Sequence, residues 1–246
     1  MSESDAVEKL RAVALKIRKA RESGSTALLS DELKFLACAT LLAEFGCGQL
    51  SQDIWALYET KFARGGYFVE FGAGDGKLLS NTFLLEKEFG WTGALAEPNP
   101  GFQTQLRGNR NCFVSQKCVA PGTGETAEFV LSQDPHLSTL AKYASGDHHA
   151  ASRVSGTKIP VETISLNDLL REARAPRTID YLSIDTEGSE FDILSTFDFD
   201  AYDIGLMTVE HNFTPRREAL HDLLTAKGFV RKFVQLSEFD DWYVKR

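Results

Sequence analysis

Three acidic residues follow a short apolar run in the stretch YLSIDTEGSEF, residues 181–191. The run YLSI favours a buried β-strand, and Asp185, Glu187 and Glu190 come directly after it. Carboxylates repel one another and lose free energy when they leave water, so such a group needs a cation, a hydrogen-bond donor or a proton. The dipole of a following helix accounts for Glu190. Asp185 and Glu187 are therefore predicted to act on a ligand.

A second acidic strand end is predicted in IGLMTVEH, which finishes at Glu210 and His211. Because ligands bind outside the carboxyl ends of the strands in an open α/β sheet, we expect both acidic ends to face one crevice. Asp185, Glu187 or His211 could take the proton of a hydroxyl group there, and a positioned base contributes ~10²–10⁴-fold to a rate. Alternatively, Asp185, Glu187 and Glu210 could hold Mg²⁺, which binds oxygen ligands and lowers the pKa of a bound hydroxyl. The sequence leaves both possibilities open.

A glycine-rich turn is predicted in EFGAGDGK, residues 70–77, between a strand and a helix. Glycines at such a turn let a ligand approach the backbone closely. The dinucleotide-binding pattern G-x-G-x-x-G would require a glycine where Lys77 stands. Glu70 at the strand end would repel a pyrophosphate and attract an ammonium group. S-adenosylmethionine carries an α-ammonium and a sulfonium but no phosphate, so these residues favour it as the cofactor.

Another acid, Glu97, ends the next predicted strand, TGALAE. It lies about 20 residues beyond the glycine turn, the spacing at which an acid accepts hydrogen bonds from ribose hydroxyls. Glu97 is therefore a second candidate for cofactor binding.

Short apolar strands alternate with helical segments from Tyr67 onward, which predicts a mostly parallel α/β sheet. One helix is predicted from the glycine-rich turn to Phe89, a second near residues 101–107 and a third over SLNDLLREA. A short helix is predicted to begin at Ser189, and another to begin at Pro215 and end at Gly228. The predicted strands are YFVEF, TGALAE, CFVSQKCVA, TIDYLSID and IGLMTVEH, with TAEFVL beside the third and FVRKFVQL and DDWYVKR as an antiparallel edge.

The first 64 residues are predicted to form a helical appendage, and residues 65–246 the catalytic domain. Apolar residues recur at helical spacing over residues 5–21, with basic residues on the other face. Ser30 and Ser51 are predicted to begin two more helices. We expect the first helix to pack on the catalytic domain or on a second copy in a homodimer, or its basic face to meet an anionic membrane or an acidic partner.

A long polar segment, residues 132–158, interrupts the catalytic domain. Irregular segments of this length are usually either functional lids or disordered, and we expect this one to close over the site of the second substrate. Its histidines His136, His148 and His149 are interpreted as solvated loop residues.

Composition narrows the class of protein further. The 246 residues carry a net charge of −8, which argues against a general nucleic-acid binder. No apolar run approaches the length of a membrane span. The four cysteines form no C-x-x-C pair, and no signal peptide precedes them, so we expect free thiols and a cytoplasmic location.

The stretches FVEFGAGDGKLLSNTFLLEKEFGWTGALAEPNP, ISLNDLL and DYLSIDTEGSEFDIL resemble the FkbM-type methyltransferases, a family that depends on S-adenosylmethionine. The resemblance runs from about residue 66 to residue 246. It implies a Rossmann-like class I methyltransferase fold, in which a mostly parallel seven-stranded sheet in the order 3-2-1-4-5-7-6 has helices on both faces. It also implies methyl transfer, usually to a hydroxyl oxygen. The cofactor-binding residues it implies are Glu70, Gly72 and Gly74 in the turn with Asp75 beside them, Glu97 and Pro98 at the ribose, and Cys118 and Val119 at the adenine.

The methyl acceptor is expected to be a small molecule with a hydroxyl group, such as a sugar, a polyketide or another secondary metabolite. Two other functions remain open at this stage. One is a nicotinamide-dependent oxidoreductase, against which Glu70 and Lys77 argue. The other is a non-catalytic partner subunit with a methyltransferase fold, which would not need the costly acids Asp185, Glu187 and Glu210.

Overall fold

The computed structural model describes residues 11–12, 14–19, 22–23 and 29–246. The chain divides into two compact units, residues 1–46 and 47–246. In the first unit, residues 14–19 are helical and α1 spans Asp31–Leu42. The hydroxyl of Ser30 accepts the N–H of Leu33 (3.4 Å), which is the predicted N-cap of α1. Most of the amphipathic helix predicted over residues 5–21, namely 5–10, 13, 20 and 21, lies outside the described residues.

The second unit contains the predicted α/β sheet. Its helices are α2 (Gln52–Glu59), α3 (Phe83–Phe89), α4 (Gln103–Asn109), α5 (Ala150–Arg153), α6 (Leu166–Glu172), α7 (Glu190–Ser195) and α8 (Arg216–Ala226). Its strands are β1 (Tyr67–Phe71), β2 (Thr92–Ala96), β3 (Phe113–Ser115), β4 (Cys118–Val119), β5 (Thr126–Leu131), β6 (Thr139–Leu140), β7 (Thr157–Ile164), β8 (Thr178–Ile184), β9 (Asp203–Glu210), β10 (Phe229–Lys232) and β11 (Asp240–Lys245). Across the described residues, no helix is both long enough and apolar enough to cross a membrane.

Seven strands form the main sheet in the order β10-β11-β9-β8-β1-β2-β3. The pairs among β9, β8, β1, β2 and β3 are parallel, whereas β11 pairs antiparallel with both β9 and β10. When β8 to β11 are counted as the fourth to seventh strands, this is the order 3-2-1-4-5-7-6. The predicted fold class is confirmed.

A smaller sheet, in the order β4-β7-β5-β6, corrects two strand predictions. CFVSQKCVA is not one strand, because β3 ends at Ser115 and β4 pairs with β7 instead. TAEFVL lies in this smaller sheet, where it pairs antiparallel with β7 rather than beside β3. The sequence reading missed β7, which contains Pro160. Proline is tolerated there because β4 pairs only with Thr163 and Ile164, so β7 has a single neighbouring strand at Pro160.

Helix α2 lies in the second unit, although the sequence prediction assigned it to the appendage. Trp55 of α2 is fully buried, and its ring centroid lies 6.5 Å from that of Tyr181 and 5.2 Å from that of Trp242. The side-chain amide of Gln52 donates to the carboxylate of Asp240 (2.7 Å). These contacts join α2 to β8 and β11, and the predicted domain boundary at residue 64 stays a prediction. All four cysteines are free.

Candidate active site

A cavity of about 400 Å³ opens at the carboxyl ends of β1, β2, β8 and β9. This is the edge at which an open α/β sheet binds its ligands, and the volume suits a small molecule. The cavity brings together most of the site residues predicted from the sequence, but the side chains of three others do not line it. Those at the cavity are Gly72, Gly74, Glu97, Pro98, Cys118, Val119, Asp185, Glu187 and Glu210, and those away from it are Glu70, Asp75 and His211.

The glycine turn forms the floor of the cavity. Gly72 has a φ of +78° and is exposed to the cavity. A Cβ atom on Gly72 would lie 1.8 Å from the carbonyl oxygen of Asp185, so no other residue fits between the ends of β1 and β8. Asp75 shapes the turn instead of meeting a ligand, because its Oδ1 accepts the N–H groups of Lys77 (2.8 Å) and Leu78 (2.7 Å).

The carboxylate of Glu70 is directed away from the cavity, contrary to its predicted role beside a ligand ammonium. It accepts hydrogen bonds from the hydroxyls of Ser80 (2.9 Å) and Thr82 (2.6 Å) and from the N–H of Asn81 (2.7 Å). The buried guanidinium of Arg110 lies 3.5 Å from it. Glu70 therefore fixes the loop of residues 78–82, most of which lines the cavity, and acts on the site through that loop.

Replacing Glu70 tests this positioning role. We expect Glu70→Ala to lower the free energy of unfolding by about 2 kcal/mol, because buried donors lose their acceptor while Arg110 keeps its second partner, Glu86. Chemical denaturation measures the loss. Exposed Glu88 supplies the control, since Glu88→Ala should change stability by less than about 0.5 kcal/mol. Full stability of Glu70→Ala would contradict the role.

Glu97 is buried at the cavity and holds the glycine turn. Its Oε2 accepts the N–H of Gly74 (2.9 Å), and its Oε1 accepts the N–H of Asn99 (2.7 Å). Burial raises the pKa of Glu97 to about 7, while the two N–H donors act in the opposite direction. Since a carboxylate oxygen has two acceptor sites, each oxygen keeps capacity for a ligand hydroxyl.

An apolar wall completes this side of the cavity. Cys118 and Val119 of β4 are buried there, and burial raises the pKa of the Cys118 thiol to about 12, so it is an uncharged apolar group. The rings of Phe102 and Phe129 line the same cavity. A flat aromatic ligand would find apolar contact at these residues.

The predicted acid cluster is present on the other side of the cavity. Asp185 follows β8, Glu187 lies two residues beyond it in the left-handed region (φ +60°), and Glu210 ends β9. One oxygen from each of the three carboxyl groups lies within 4.8 Å of the others. Burial raises the pKa of Asp185 to about 6 and that of Glu187 to about 9, and it raises the pKa of Glu210 well above its usual value. Glu187 therefore holds a proton near neutral pH unless a cation takes its place, and Glu210 favours its protonated form, whereas Asp185 is mostly ionised.

Two residues that the sequence reading missed orient this cluster. Arg153 of α5 donates to Oε2 of Glu187 (2.7 Å), and the side-chain amide of Asn212 donates to the same oxygen (3.1 Å). Arg153 also bonds Asp147 (2.8 Å) and the carbonyl of Leu137 (2.6 Å). No local pattern marks Arg153, because its partners are spread along the chain.

The ring of His211 does not reach the cavity, so its predicted role as a base is not supported by its position. Its Nδ1 accepts the N–H of Phe213 (3.0 Å), and its Nε2 lies 3.9 Å from the carboxylate of Asp241. Burial lowers the pKa of His211, so the ring is neutral at pH 7. His211 and Glu210 are neighbours, and Glu210 alone is directed into the cavity.

The segment of residues 132–158 supplies a wall of the cavity. His136, His148 and His149, interpreted from the sequence as solvated, all line it. The ring of His136 lies over the glycine turn, since a Cβ on Gly74 would be 3.0 Å from its Cε1, and its centroid is 4.9 Å from that of Phe102. The segment thus covers the site, and its opening and closing as a lid stays a prediction.

Sheet order and cavity position together define a Rossmann-like class I methyltransferase fold. A family model described as the methyltransferase FkbM domain matches residues 70–243, and the chain belongs to the FkbM methyltransferase family. This membership supports a methyltransferase-type function.

Comparisons with individual proteins show more distant likenesses. The chain is similar to the methyltransferase FkbM from Methylobacillus flagellatus KT, with a TM-score of 0.44 and 12% identity over 92% of this chain and 65% of that one. It is also similar to a mutant of MtNAS, with a TM-score of 0.36 and 14% identity over 95% of this chain and 71% of that one. The chain thus spans 65% of the length of the first of these structures. No curated protein matches the chain.

Proposed function

We propose that this protein transfers a methyl group from S-adenosylmethionine to a hydroxyl oxygen of a small molecule. The acidic lining of the cavity carries the proposal. Its lining includes the acids Glu97, Asp134, Asp185, Glu187 and Glu210, and within the described part of the chain it includes no lysine or arginine. A cofactor with an ammonium and a sulfonium suits such a lining, whereas the pyrophosphate of a nicotinamide dinucleotide would be repelled.

The residues at the glycine turn fit the proposed cofactor. Glu97 retains acceptor capacity for the ribose hydroxyls, and Val119 with Phe102 would pack against the adenine. Gly72 is exposed to the cavity, so a ligand can approach its backbone closely. When bound, the cofactor would supply a methyl group already activated on sulfur.

The acid cluster would then receive the acceptor. The hydroxyl oxygen would attack the methyl carbon, the carbon–sulfur bond would break with its electron pair going to sulfur, and the hydroxyl proton would leave on the side of the cavity where the cluster lies. Asp185 directly follows β8, and its backbone oxygen would lie 1.8 Å from a Cβ on Gly72, so Asp185 lies beside the glycine turn at which the cofactor would bind. Alignment of two reactants in this way accounts for much of the rate of such a displacement.

Titration calorimetry with S-adenosylhomocysteine and with NADH tests the cofactor assignment. We expect binding of the first and none of the second. Product formation from a radiolabelled methyl donor, screened against small-molecule extracts of the source cell, then tests catalysis and finds the acceptor. Cofactor binding without labelled product across the whole screen would favour a non-catalytic partner subunit, and binding of NADH alone would favour an oxidoreductase.

Glu97→Gln is expected to weaken S-adenosylhomocysteine binding by about 10- to 100-fold. The variant keeps the shape of the side chain but loses a charge-assisted hydrogen bond worth about 1.5–3 kcal/mol. Titration calorimetry measures the affinity, and the exposed acid Glu125 gives the control Glu125→Gln, which should bind normally. Unchanged affinity in Glu97→Gln would remove the ribose contact from the proposal.

A further inference from the structure

The acid cluster consists of three carboxyl groups that come from different places in the chain and lie close together. Asp185 comes from the end of β8, Glu187 from the turn after it, and Glu210 from the end of β9. One oxygen of each lies within 4.8 Å of the other two. Neither histidine nor cysteine joins this group, so the ligand set consists of oxygen atoms only. Such a set suits a hard divalent cation of the Mg²⁺ or Mn²⁺ class rather than zinc.

An unsatisfied buried oxygen points to a ligand at this position. Glu210 is only 6% exposed, and its Oε2 has no hydrogen-bond partner among the residues that the structure describes. A carboxyl oxygen buried without a hydrogen-bond partner is costly, because it gives up water and gains no bond in its place. Glu210 lines the cavity, so the missing partner can enter from there.

Two neighbouring side chains fix the orientation of the Glu187 carboxyl group, as is usual for carboxylates that bind metals. Arg153 and Asn212 both donate to its Oε2, at 2.7 Å and 3.1 Å. These bonds fix the plane of the carboxylate and leave Oε1 without either donor. Hydrogen bonds of this kind orient ligating carboxylates in metal sites and tune their affinity.

We propose that Asp185, Glu187 and Glu210 bind one divalent cation, with Arg153 and Asn212 as positioning residues. Binding itself is independent of the proposed methyl transfer, but its use in catalysis rests on that function. In catalysis the cation would take the acceptor's hydroxyl oxygen as a further ligand and lower the pKa of that hydroxyl. The proton then passes to solvent as the oxygen attacks the methyl carbon.

Mn²⁺ binding to the full chain, measured by electron paramagnetic resonance after EDTA treatment, tests the site. We expect one bound Mn²⁺ per chain, displaced by Mg²⁺. Asp185→Asn combined with Glu210→Gln should weaken Mn²⁺ binding at least tenfold, and Asn212→Ala should weaken it about tenfold or more. Asp203→Asn, at the exposed start of β9, is the matched control and should bind normally.

Two further measurements on the same samples distinguish a loss of cation binding from a loss of folding or of cofactor binding. Circular dichroism and S-adenosylhomocysteine titration show whether each variant keeps its fold and its cofactor side. The absence of Mn²⁺ binding in the parent protein, or equal binding in the double variant, would overturn the cation site. Methyl transfer that persists in EDTA would overturn its catalytic use while leaving the proposed function intact, whereas cation binding without any methyl transfer would count against the function alone.

Discussion

Asp185→Asn is expected to lower the methyl-transfer rate at least about 10²-fold, while the affinity for S-adenosylhomocysteine changes less than about threefold. The substitution keeps the shape of the side chain and removes its charge and basicity. A positioned base is worth ~10²–10⁴-fold, and a lost cation ligand would cost a comparable amount. Single-turnover kinetics with labelled methyl donor measures the rate, and calorimetry measures the affinity.

The control for this result is Asp203→Asn, which changes an exposed aspartate at the other end of the neighbouring strand. It should leave both quantities unchanged. Glu210→Gln is expected to behave as Asp185→Asn does, because the two carboxyl groups face the same point. Near-normal turnover in both cluster variants would make the acids structural and place the proton acceptor elsewhere.

Gly72→Ala is expected to abolish cofactor binding and to lower the free energy of unfolding by about 4 kcal/mol. A left-handed backbone costs a non-glycine residue about 1–2 kcal/mol, and overpacking adds about 1–3 kcal/mol. The atom that a Cβ would meet is the backbone oxygen of Asp185, at 1.8 Å, and a backbone cannot move aside as a flexible side chain can. Relief requires β1 and β8 to separate at the floor of the cavity.

Gly108 provides a matched control for the same chemical change. It lies in α4, and a Cβ added to it would meet nothing within 4 Å. Gly108→Ala should therefore keep cofactor affinity and raise stability by about 0.4–1 kcal/mol, the usual gain where the backbone conformation suits alanine. Denaturation and calorimetry on both variants show whether the effect at Gly72 comes from its contact with the backbone of Asp185 or from adding a methyl group to any glycine. Normal binding by Gly72→Ala would show that the turn tolerates a side chain.

Elements with strong local signals were predictable from the sequence. The alternation of short strands and helices predicted the mostly parallel α/β sheet, the resemblance to the FkbM-type methyltransferases implied its strand order, and caps such as Ser30 appear where expected. β7 was missed because Pro160 obscures its strand pattern. Proline is acceptable there only because β7 has one neighbouring strand, β5, at that position. The placement of β4 and β5 in a second sheet depends on pairing between distant segments, which no local pattern encodes.

For some site residues, the position at a strand end was enough to predict that the side chain lies at the cavity, and for others it was not. Glu97, Asp185 and Glu210 lie at strand ends that the topology brings to one edge, so their meeting was predictable. Glu70 could not be judged in this way, because its donors come from residues 80–82 and from Arg110. The alternation of side chains along a strand, by contrast, could have warned that His211 and its neighbour Glu210 would not face the same side.

The smaller sheet gives the protein a modular construction. Residues 132–156 leave from β5 and return through β7, two strands paired with each other and not with the main sheet. A segment of this kind can be exchanged for one of different length or sequence while the main-sheet strand ends that carry Glu97, Asp185 and Glu210 stay in place. Arg153 sets the limit on such grafting, since it ties the segment to Glu187 and any replacement must bring an equivalent cation to that carboxylate. Exchange of the segment is therefore expected to change which ligands the cavity admits without rebuilding the main sheet.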